Sequence, residues 1–495
     1  MEAAEVGSQK WRLNNLYRVV DEQGKDVLFQ MRPAQERFFD DFHYYNVVLK
    51  ARQLGFTTLI DLIGLDMVLF KDNFTAVIIA ETKEKAADIF NRKVVYPYEH
   101  LPQQLRDWCR MVNKTKSGEA YFSNGSRIKV MVSARSGTCQ FLHVSEYGPV
   151  CAKAPAKAEE IKTGSFPAVH AGGFVFVEST AMGNNGYFYD MVQLAQARKL
   201  QGRKLGMQDF MLHFFPWHEN PEYQSDPDTA VITPRLASYF DELYARQGIE
   251  LDERQMAWYA AQEATYHEKM WAEFPSYPDE AFKVAQDGAY YGRAFLDIYR
   301  SNRICHLPYD PNLPVFTSWD LGMSDETTIW FFQFYGKEIR VIDYYHNNGE
   351  GLGHYINVLR DKGYRYARHF APHDIAVRDL STGVSRMETA RKLGCNFDRI
   401  PTNVDLMGGI ENSREMLSYC WFDEEKTAEG RKALEAYKKE WDEKHACYKS
   451  QPLHDWASHG ADSFRTMAQA WKMGLCNREH NSSGALRSKG GLKRI

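Results

Sequence analysis

Residues 50–58 read Lys-Ala-Arg-Gln-Leu-Gly-Phe-Thr-Thr and directly follow the apolar run Val-Val-Leu at 47–49. The apolar run predicts a short buried strand, and Thr57 with Thr58 predicts the start of a helix. Gly55 allows a tight turn whose backbone N–H groups face an anion, and a helix N-terminus favours phosphate. A strand, a glycine turn and a helix in this order are typical of a phosphate-binding loop.

The loop departs from the usual pattern, in which a glycine and four further residues precede Gly-Lys-Ser/Thr. Lys50 stands at the first glycine position and Phe56 at the lysine position. Because Phe56 cannot neutralise a phosphate, the cation has to come from Lys50 or Arg52. Thr57, followed by Thr58, is placed to bind Mg²⁺ through its hydroxyl. An ordinary strand–turn–helix with a surface arginine is the alternative for these residues alone.

The composition is that of a globular chain of 495 residues, 44% hydrophobic and 25% charged. This length favours two to four domains. The net charge of −4 means that a nucleic-acid surface has to be a local patch. We find no run apolar enough to cross a bilayer and no secretion signal. The eight cysteines form no Cys-x-x-Cys pair, which predicts reduced thiols in a cytosolic protein.

Four further apolar runs predict a sheet with ligand groups at one edge. They lie at 75–80, 127–132, 141–144 and 173–177. Helical stretches between strands favour a parallel sheet with covered faces, and ligands gather at the carboxyl ends of such strands. Two of the runs end in polar clusters, Ser-Glu at 145–146 and Glu-Ser-Thr-Ala at 178–181.

Three residues around this edge are candidates for nucleotide chemistry. Glu146, at the end of a buried strand, can polarise the water that attacks a γ-phosphate. The position before it, where a metal-binding aspartate is usual, is Ser145, which brings no charge. Arg135, in a loop between strands, can stabilise the transferred phosphoryl in cis or on a neighbouring subunit. Gln35 is placed to hydrogen-bond both edges of adenine. A turn cap, a solvated arginine and a surface glutamine are the plain alternatives.

The second half of the chain predicts a different sheet. Residues 315–345 predict three strands in quick succession, and a helix at 351–361 and a fourth strand follow. This β-β-β-α-β order is that of an RNase H-like nuclease. Asp320 ends the first strand, Asp374 follows the fourth, and Asp462 lies on a helix near the end of the chain.

Three carboxylates at the ends of separate elements suit a metal-dependent nuclease. Two cations activate water and stabilise the leaving oxygen of a phosphodiester, and Mg²⁺ and Mn²⁺ prefer carboxylate ligands. Aspartates at strand ends are also common turn formers, which is the structural alternative. The reserve ligands are Asp325, Asp343 and Asp455.

These elements predict an α/β chain of six segments. They are an N-terminal peripheral segment (1–30), a P-loop ATPase core with a parallel-rich sheet (31–185), a helical lid (186–285), a linker (286–313), an RNase H-like nuclease domain (314–478) and a flexible basic tail (479–495). The tail carries Arg487, Lys489, Lys493 and Arg494.

Together the motifs resemble the large terminase subunit of a tailed double-stranded DNA bacteriophage, an ATPase motor fused to an RNase H-like nuclease. The matching stretches follow the family's order over roughly residues 30–470. They are 50–58, 142–146, 178–181, 371–374, 409–417 and 455–465.

The resemblance implies a site for ATP with Mg²⁺ and a nuclease site for Mg²⁺ or Mn²⁺. It implies nucleotide binding by Gln35, Lys50, Arg52, Gly55, Thr57 and Thr58. It further implies Arg135 as an arginine finger, and Ser179, Thr180 and Ala181 as the motif that couples hydrolysis to movement.

The resemblance also implies partners and a place of action. Double-stranded DNA would be the substrate, with a small terminase subunit and the portal protein of the procapsid as partners. The chains would form a ring, usually a pentamer, in the host cytoplasm and transiently on the procapsid, but not in the mature virion.

Two other functions remain open. A cellular helicase–nuclease for DNA repair would use the same two chemistries, but it needs motifs that contact single strands, and we find no clear set. A non-enzymatic docking protein with a decayed ATPase is suggested by Phe56 and Ser145.

Overall fold

The computed structural model describes residues 7–133, 137–283, 288–322, 326–378, 383–401, 405–442 and 447–476. The chain divides into two compact units, Met1–Val284 and Ala285–Ile495. No helix among the described residues is both long and apolar enough to cross a membrane.

The described residues of the first unit form ten strands. They are β1 (Arg18–Val20), β2 (Asp26–Leu28), β3 (Tyr45–Lys50), β4 (Thr75–Ile79), β5 (Met111–Lys114), β6 (Glu119–Phe122), β7 (Arg127–Met131), β8 (Cys139–Ser145), β9 (Val169–Ser179) and β10 (Phe210–Phe215). β1 and β2 form a small antiparallel pair, and the other eight form one sheet in the order β10-β3-β9-β8-β4-β7-β6-β5.

Six strands of this sheet, from β10 to β7, are parallel, and β6 and β5 extend it as an antiparallel edge. The predicted α/β class with a parallel-rich sheet is therefore confirmed. Because parallel strands end at the same edge, the carboxyl ends of β3, β8 and β9 lie side by side there.

Helices cover this sheet and fill the segment after it. They are Gln9–Asn15, Pro33–Asp41, Phe56–Phe70, Lys83–Ile89, Tyr96–Glu99, Gln103–Trp108, Tyr147–Lys153, Pro155–Glu160, Tyr187–Leu200, Pro234–Glu242, Glu253–Tyr266, Met270–Glu273 and Pro278–Ala281. Helix Phe56–Phe70 is apolar nearly all round and almost completely buried, as expected for an element inside the core.

The start of the helical lid differs from the prediction of 186–285. Strand β10 falls inside this range and pairs in parallel with β3, so Phe210–Phe215 belongs to the main sheet. A helical subdomain begins only after Phe215. There the stacked rings of Trp217, Trp258 and Tyr223 form an aromatic core, with centroids 5.2 Å and 4.4 Å apart.

The N-terminal segment is not peripheral, as 1–30 was predicted to be. The Arg12 Nη2 atom lies 2.6 Å from Asp66 Oδ2 in a buried ion pair, and the Tyr17 hydroxyl donates to Asp66 Oδ1 at 2.7 Å. Leu13 packs in the same core. A buried carboxylate needs such partners, so the segment from residue 7 onwards is part of the first unit.

Glu280 is a second buried carboxylate of the first unit. It is 1% exposed and accepts a hydrogen bond from the Tyr239 hydroxyl at 2.6 Å. Burial raises the pKa of Glu280 from 4.5 to about 7, against the opposing effect of Tyr239 and Ser276. An acid with a raised folded-state pKa stabilises the fold most below its unfolded pKa, and this contribution is lost as pH rises through the folded pKa.

We expect Glu280→Gln to flatten the pH dependence of stability between pH 4.5 and 7. In the wild type, the titration of this group should lower the free energy of unfolding by about 3 kcal/mol as pH rises from 4.5 to 7. Denaturant unfolding followed by tryptophan fluorescence at a series of pH values measures the slope. The exposed Glu253→Gln is the matched control. Equal slopes in the wild type and Glu280→Gln would contradict the assignment.

In the second unit, nine strands lie in the part of the chain that the structure describes. They are β11 (Ile304–Cys305), β12 (Val315–Asp320), β13 (Thr327–Tyr335), β14 (Glu338–Asn347), β15 (Tyr366–Ala371), β16 (Phe397–Arg399), β17 (Cys420–Asp423), β18 (Lys439–Asp442) and β19 (Cys447–Pro452). β18 and β19 pair separately, and the others form a sheet in the order β11-β17-β14-β13-β12-β15-β16.

The predicted β-β-β-α-β order is confirmed. β12, β13 and β14 form an antiparallel meander, and β15 returns in parallel beside β12. The helices of this unit are Gly292–Arg300, Leu352–Lys362, Arg386–Lys392, Leu406–Leu417, Ala428–Ala436 and Trp456–Lys472.

The predicted linker 286–313 is structured where the structure describes it. Helix Gly292–Arg300 buries Phe295 and Ile298 in the core of the second unit. β11 pairs in parallel with β17. Residues 288–313 therefore belong to the second unit.

Candidate active sites

The predicted phosphate loop joins β3 to helix Phe56–Phe70 through a tight turn. Gly55 has φ +73°, a left-handed conformation that favours glycine. Phe56, at the usual lysine position, is 1% exposed, and its ring lies 4.3 Å from that of Phe215 and 5.5 Å from that of Phe38. Phe56 is therefore a core residue at the base of the loop.

The two candidate cations of the loop have different surroundings. Lys50 is buried, with its Nζ 3.1 Å from both Glu146 Oε1 and Glu178 Oε2. Burial alone would lower the pKa of Lys50, but the two carboxylates outweigh it and raise that pKa. Arg52 is half exposed, and its Nη1 lies 3.2 Å from Glu273 Oε2. Only Lys50 lies within the carboxylate cluster at the strand ends.

Glu178 is the centre of this cluster. It is fully buried, and its Oε1 atom accepts hydrogen bonds from the Thr57 hydroxyl at 2.7 Å and the Ser145 hydroxyl at 2.8 Å. Burial alone would raise the pKa of Glu178, but Lys50 and His143 outweigh it and hold that pKa below its usual value. Glu178 therefore carries a charge at neutral pH.

A second buried pair lies behind Glu178. His143 Nδ1 is 2.7 Å from Asp61 Oδ1, and His143 Nε2 is 3.6 Å from Glu178 Oε1. Burial would lower the pKa of His143, but Asp61 and Glu178 raise it to about 9. His143 is thus charged at neutral pH, and it links helix Phe56–Phe70 to the strand ends.

Glu146 has a strained backbone conformation. Its φ of 54° and ψ of 51° place it in the left-handed region, which costs a non-glycine residue about 1–3 kcal/mol. The Ser179 hydroxyl donates to Glu146 Oε2 at 3.4 Å and accepts from the Gly148 backbone N–H at 3.0 Å. Ser179 thus joins the end of β9 to Glu146.

The other residues predicted for this site differ in how far they are buried, and one of them is not described by the structure. Thr58 is half-buried on the first turn of helix Phe56–Phe70, Thr180 is half-buried, and Ala181 is buried. Arg135 lies outside the described residues, so its predicted role stays a prediction.

Gln35 braces the loop. It is 2% exposed, its Nε2 donates to the Leu54 carbonyl at 3.2 Å, and its Oε1 accepts from the Arg32 backbone N–H at 2.9 Å. A Cβ added at Gly55 would lie 2.8 Å from Gln35 Nε2. Each polar atom of the Gln35 amide thus already makes one hydrogen bond. The second N–H of Nε2 and the second lone pair of Oε1 are left to bind an adenine.

The second site lies at the carboxyl end of β12. The Asp320 Oδ2 atom is 3.1 Å from His459 Nδ1, and His459 and Asp462 are one turn apart on helix Trp456–Lys472. Burial raises the pKa of Asp462 to about 6, Asp320 adds to the rise, and Arg465 opposes it. His459 thus joins the end of β12 to the helix that carries Asp462.

Close packing around Gly460 holds helix Trp456–Lys472 in place. The Trp330 indole N–H donates to the Gly460 carbonyl at 2.9 Å, and a Cβ added at Gly460 would lie 2.8 Å from the Ala433 Cβ. A glycine is required at this contact, which presents His459 and Asp462 to the end of β12.

Asp374 lies at the same edge of the sheet, on the turn His373–Ala376 that follows β15. It is exposed, and among the described residues no side chain or backbone N–H donates to its carboxylate. Within the same residues, no group of three or more His, Cys, Asp or Glu is close enough to hold a metal ion. The structure thus joins Asp320 to His459, on the helix that carries Asp462, and places Asp374 on the turn after β15.

The reserve ligands have structural partners where they are described. Asp343 pairs with Lys362 and accepts from the Tyr364 hydroxyl at 2.9 Å. Asp455 caps helix Trp456–Lys472 by accepting from the Ala457 N–H at 3.0 Å. Asp325 lies outside the described residues.

Both sites offer the oxygen ligands that divalent cations prefer. In the first unit these are the Thr57 hydroxyl and the Glu178 carboxylate. In the second they are Asp320 and Asp462. The sequence reasoning assigned no role to Glu178, His143, Asp61 or His459. For Glu178 the one available signal was its position near the end of a buried strand, and for His459 it was its position one helical turn from Asp462. Asp61 and His143 lie inside their elements and carry no such signal.

No protein-family model and no curated protein sequence matches this chain. Several solved structures are similar to it. The large terminase of bacteriophage HK97 is 12% identical, over 94% of this chain and 100% of that chain, with a TM-score of 0.44. The large terminase of a thermophilic bacteriophage is 11% identical, over 89% of this chain and 96% of that chain, with a TM-score of 0.29.

A third similar structure is the large terminase nuclease domain of bacteriophage SPP1 with bound Mn. It is 15% identical, over 32% of this chain and 86% of that chain, with a TM-score of 0.25. Such low scores assign no role to any residue of this chain.

Proposed function

We propose that this chain is a viral DNA-packaging motor subunit, which moves double-stranded DNA into a procapsid at the expense of ATP and cuts concatemeric DNA. One observation carries the proposal. Each compact unit has its own cluster of acids at the carboxyl ends of its strands, one beside a phosphate-loop turn and one on an RNase H-like sheet.

The first cluster supports ATP hydrolysis. The loop turn and the start of helix Phe56–Phe70 receive the phosphates, and Lys50 supplies the positive charge that Phe56 lacks. Glu146, held by Ser179, orients and deprotonates the attacking water. When bound, Mg²⁺ neutralises charge on the phosphate oxygens, and Thr57 is placed to hold it.

The second cluster supports phosphodiester cleavage. Asp320 and Asp462 would hold a divalent cation, which activates water when bound. His459 contacts the Asp320 carboxylate through its Nδ1 atom and fixes its orientation. In this proposal its imidazole also exchanges a proton with a group bound at the site. Asp374, on the turn after β15, is the third ligand that the terminase resemblance implies.

The remaining roles follow from the terminase resemblance. Residues 179–181 couple hydrolysis to movement, and Arg135 supplies charge at the transferred phosphoryl. Gln35, Arg52, Gly55 and Thr58 shape the nucleotide site. A small terminase subunit, the portal protein and a pentameric ring complete the machine on the procapsid, in the host cytoplasm.

Translocation on intact duplex DNA tests this function. The purified full chain, supplied with procapsids carrying a portal, should show ATP hydrolysis stimulated by double-stranded DNA. It should also displace a third strand from a triplex on that duplex. Unwinding of a forked duplex without any effect of procapsids would favour the repair helicase–nuclease instead. Absence of DNA-stimulated hydrolysis would favour a docking protein.

A further inference from the structure

The nucleotide site lacks one expected group. Phosphate-loop NTPases hold their metal with the hydroxyl of the loop and with an acid at the end of another strand of the same sheet. Here that strand, β8, ends in Ser145. A hydroxyl alone brings no charge to balance a divalent cation, so a second carboxylate has to come from elsewhere.

Glu178 lies where this carboxylate is needed. β9 runs between β3 and β8, and Glu178 is in register with Ser145 on one side and with Val48 on the other. Its Oε1 atom is 2.7 Å from the Thr57 hydroxyl and 2.8 Å from the Ser145 hydroxyl. The carboxylate therefore touches both positions that hold the metal in the usual arrangement.

The side chain is also fixed in this place. Lys50 Nζ faces Glu178 Oε2 at 3.1 Å, and His143 Nε2 lies 3.6 Å from Oε1 on the interior side. Asp61 in turn holds the far side of the His143 ring at 2.7 Å. A carboxylate held from two sides presents one orientation to the loop, which favours metal binding over a mobile surface acid.

We propose that Glu178 is the acid that holds the nucleotide-associated Mg²⁺ together with Thr57, in place of the carboxylate that Ser145 lacks. The inference rests on the proposed ATPase function. The competing role for Glu178 is a purely structural one, as the counter-ion of Lys50 and His143. That role predicts a loss of stability but no specific loss of Mg²⁺ dependence.

Binding of a fluorescent ATP analogue to the full chain, with Mg²⁺ and with a chelator, separates the two roles. In the wild type Mg²⁺ should tighten binding. In Glu178→Gln the enhancement, expressed as the ratio of the dissociation constants without and with Mg²⁺, should fall by about tenfold or more, the scale on which metal-site partners act. The exposed Glu84→Gln is the control and should keep the enhancement.

Moving the carboxylate from position 178 to position 145 gives the sharper test. Because Ser145 and Glu178 touch, the double variant Ser145→Asp with Glu178→Gln should restore most of the Mg²⁺ enhancement. If Glu178→Gln does not fold, as judged by circular dichroism, Glu178→Asp is measured instead. It keeps the charge between Lys50 and His143 but shortens the reach to Thr57, so the enhancement should again fall.

Full Mg²⁺ enhancement in Glu178→Gln, or in a folded Glu178→Asp, overturns this inference and leaves the ATPase proposal intact. A wild-type chain that binds no nucleotide under either condition overturns the ATPase proposal itself.

Discussion

Glu146→Gln should lower ATP turnover by about 10²- to 10⁴-fold, the usual contribution of a positioned general base. Glutamine keeps the size of the side chain and the contact with Ser179, but it cannot take a proton from water. Lys50 keeps Glu178 as its second partner at 3.1 Å, so the strand ends should stay in place. Phosphate release in the presence of double-stranded DNA measures the effect.

The same variant should cut DNA at the wild-type rate in vitro, because the nuclease cluster shares no residue with Glu146. The exposed Glu159→Gln, a few residues further along the chain, is the matched control for a lost charge. ATP turnover within a factor of about two of the wild type would remove Glu146 from the role of base. Loss of both activities in a folded protein would argue against two separate sites.

Asp320→Ala should give the opposite pattern. Cleavage of plasmid DNA with Mg²⁺ or Mn²⁺ should fall by at least about 100-fold, the upper range for loss of even an outer partner of a metal site. Asp320 contacts His459, on the helix that carries Asp462, and its removal leaves this end of β12 without a carboxylate. ATP hydrolysis stimulated by DNA should stay unchanged.

The exposed Asp361→Ala, on helix Leu352–Lys362, is the control for this variant. It should cut DNA like the wild type. Retained cleavage by Asp320→Ala would place the nuclease site elsewhere in the chain. Reduced ATP turnover with intact cleavage would contradict the assignment of each chemistry to one unit.

Local patterns were sufficient to predict the elements that carry both sites. The apolar run at 47–49, the turn at Gly55 and the following helix depend on neighbouring residues, and each forms as expected. The meander after residue 315 and the strand before Asp374 are likewise short-range patterns. For the same reason, the carboxyl edges of both sheets could be located before any distance was known.

Contacts between distant segments could not be predicted in the same way. β10 pairs with β3, which lies far from it in the sequence. Because the aromatic sequence of β10 lies among helical patterns, the predicted lid begins too early, at residue 186. The role of Glu178 depends on the registers of three strands and on the distance to Thr57. Nothing local to Glu178 distinguishes it from a strand-end turn residue.

Phe56 shows how a departure from a motif can mislead. Its place in the loop means that the cation has to come from Lys50 or Arg52, and it leaves a decayed site as the alternative. In the structure Phe56 packs on Phe215 and Phe38, and Lys50 reaches the carboxylates from the end of the strand. The candidate cation therefore lies at the strand end that precedes the loop, a position that the usual spacing of the motif does not include.

The most direct test of two separate metal-dependent sites is anomalous diffraction at the manganese edge. Crystals of the full chain would be grown with Mn²⁺ and a slowly hydrolysed ATP analogue. We expect one anomalous peak beside Thr57 and Glu178, next to the triphosphate, and another between Asp320 and Asp462. Manganese at only one of these places, or a triphosphate bound away from the 50–58 loop, would contradict the account.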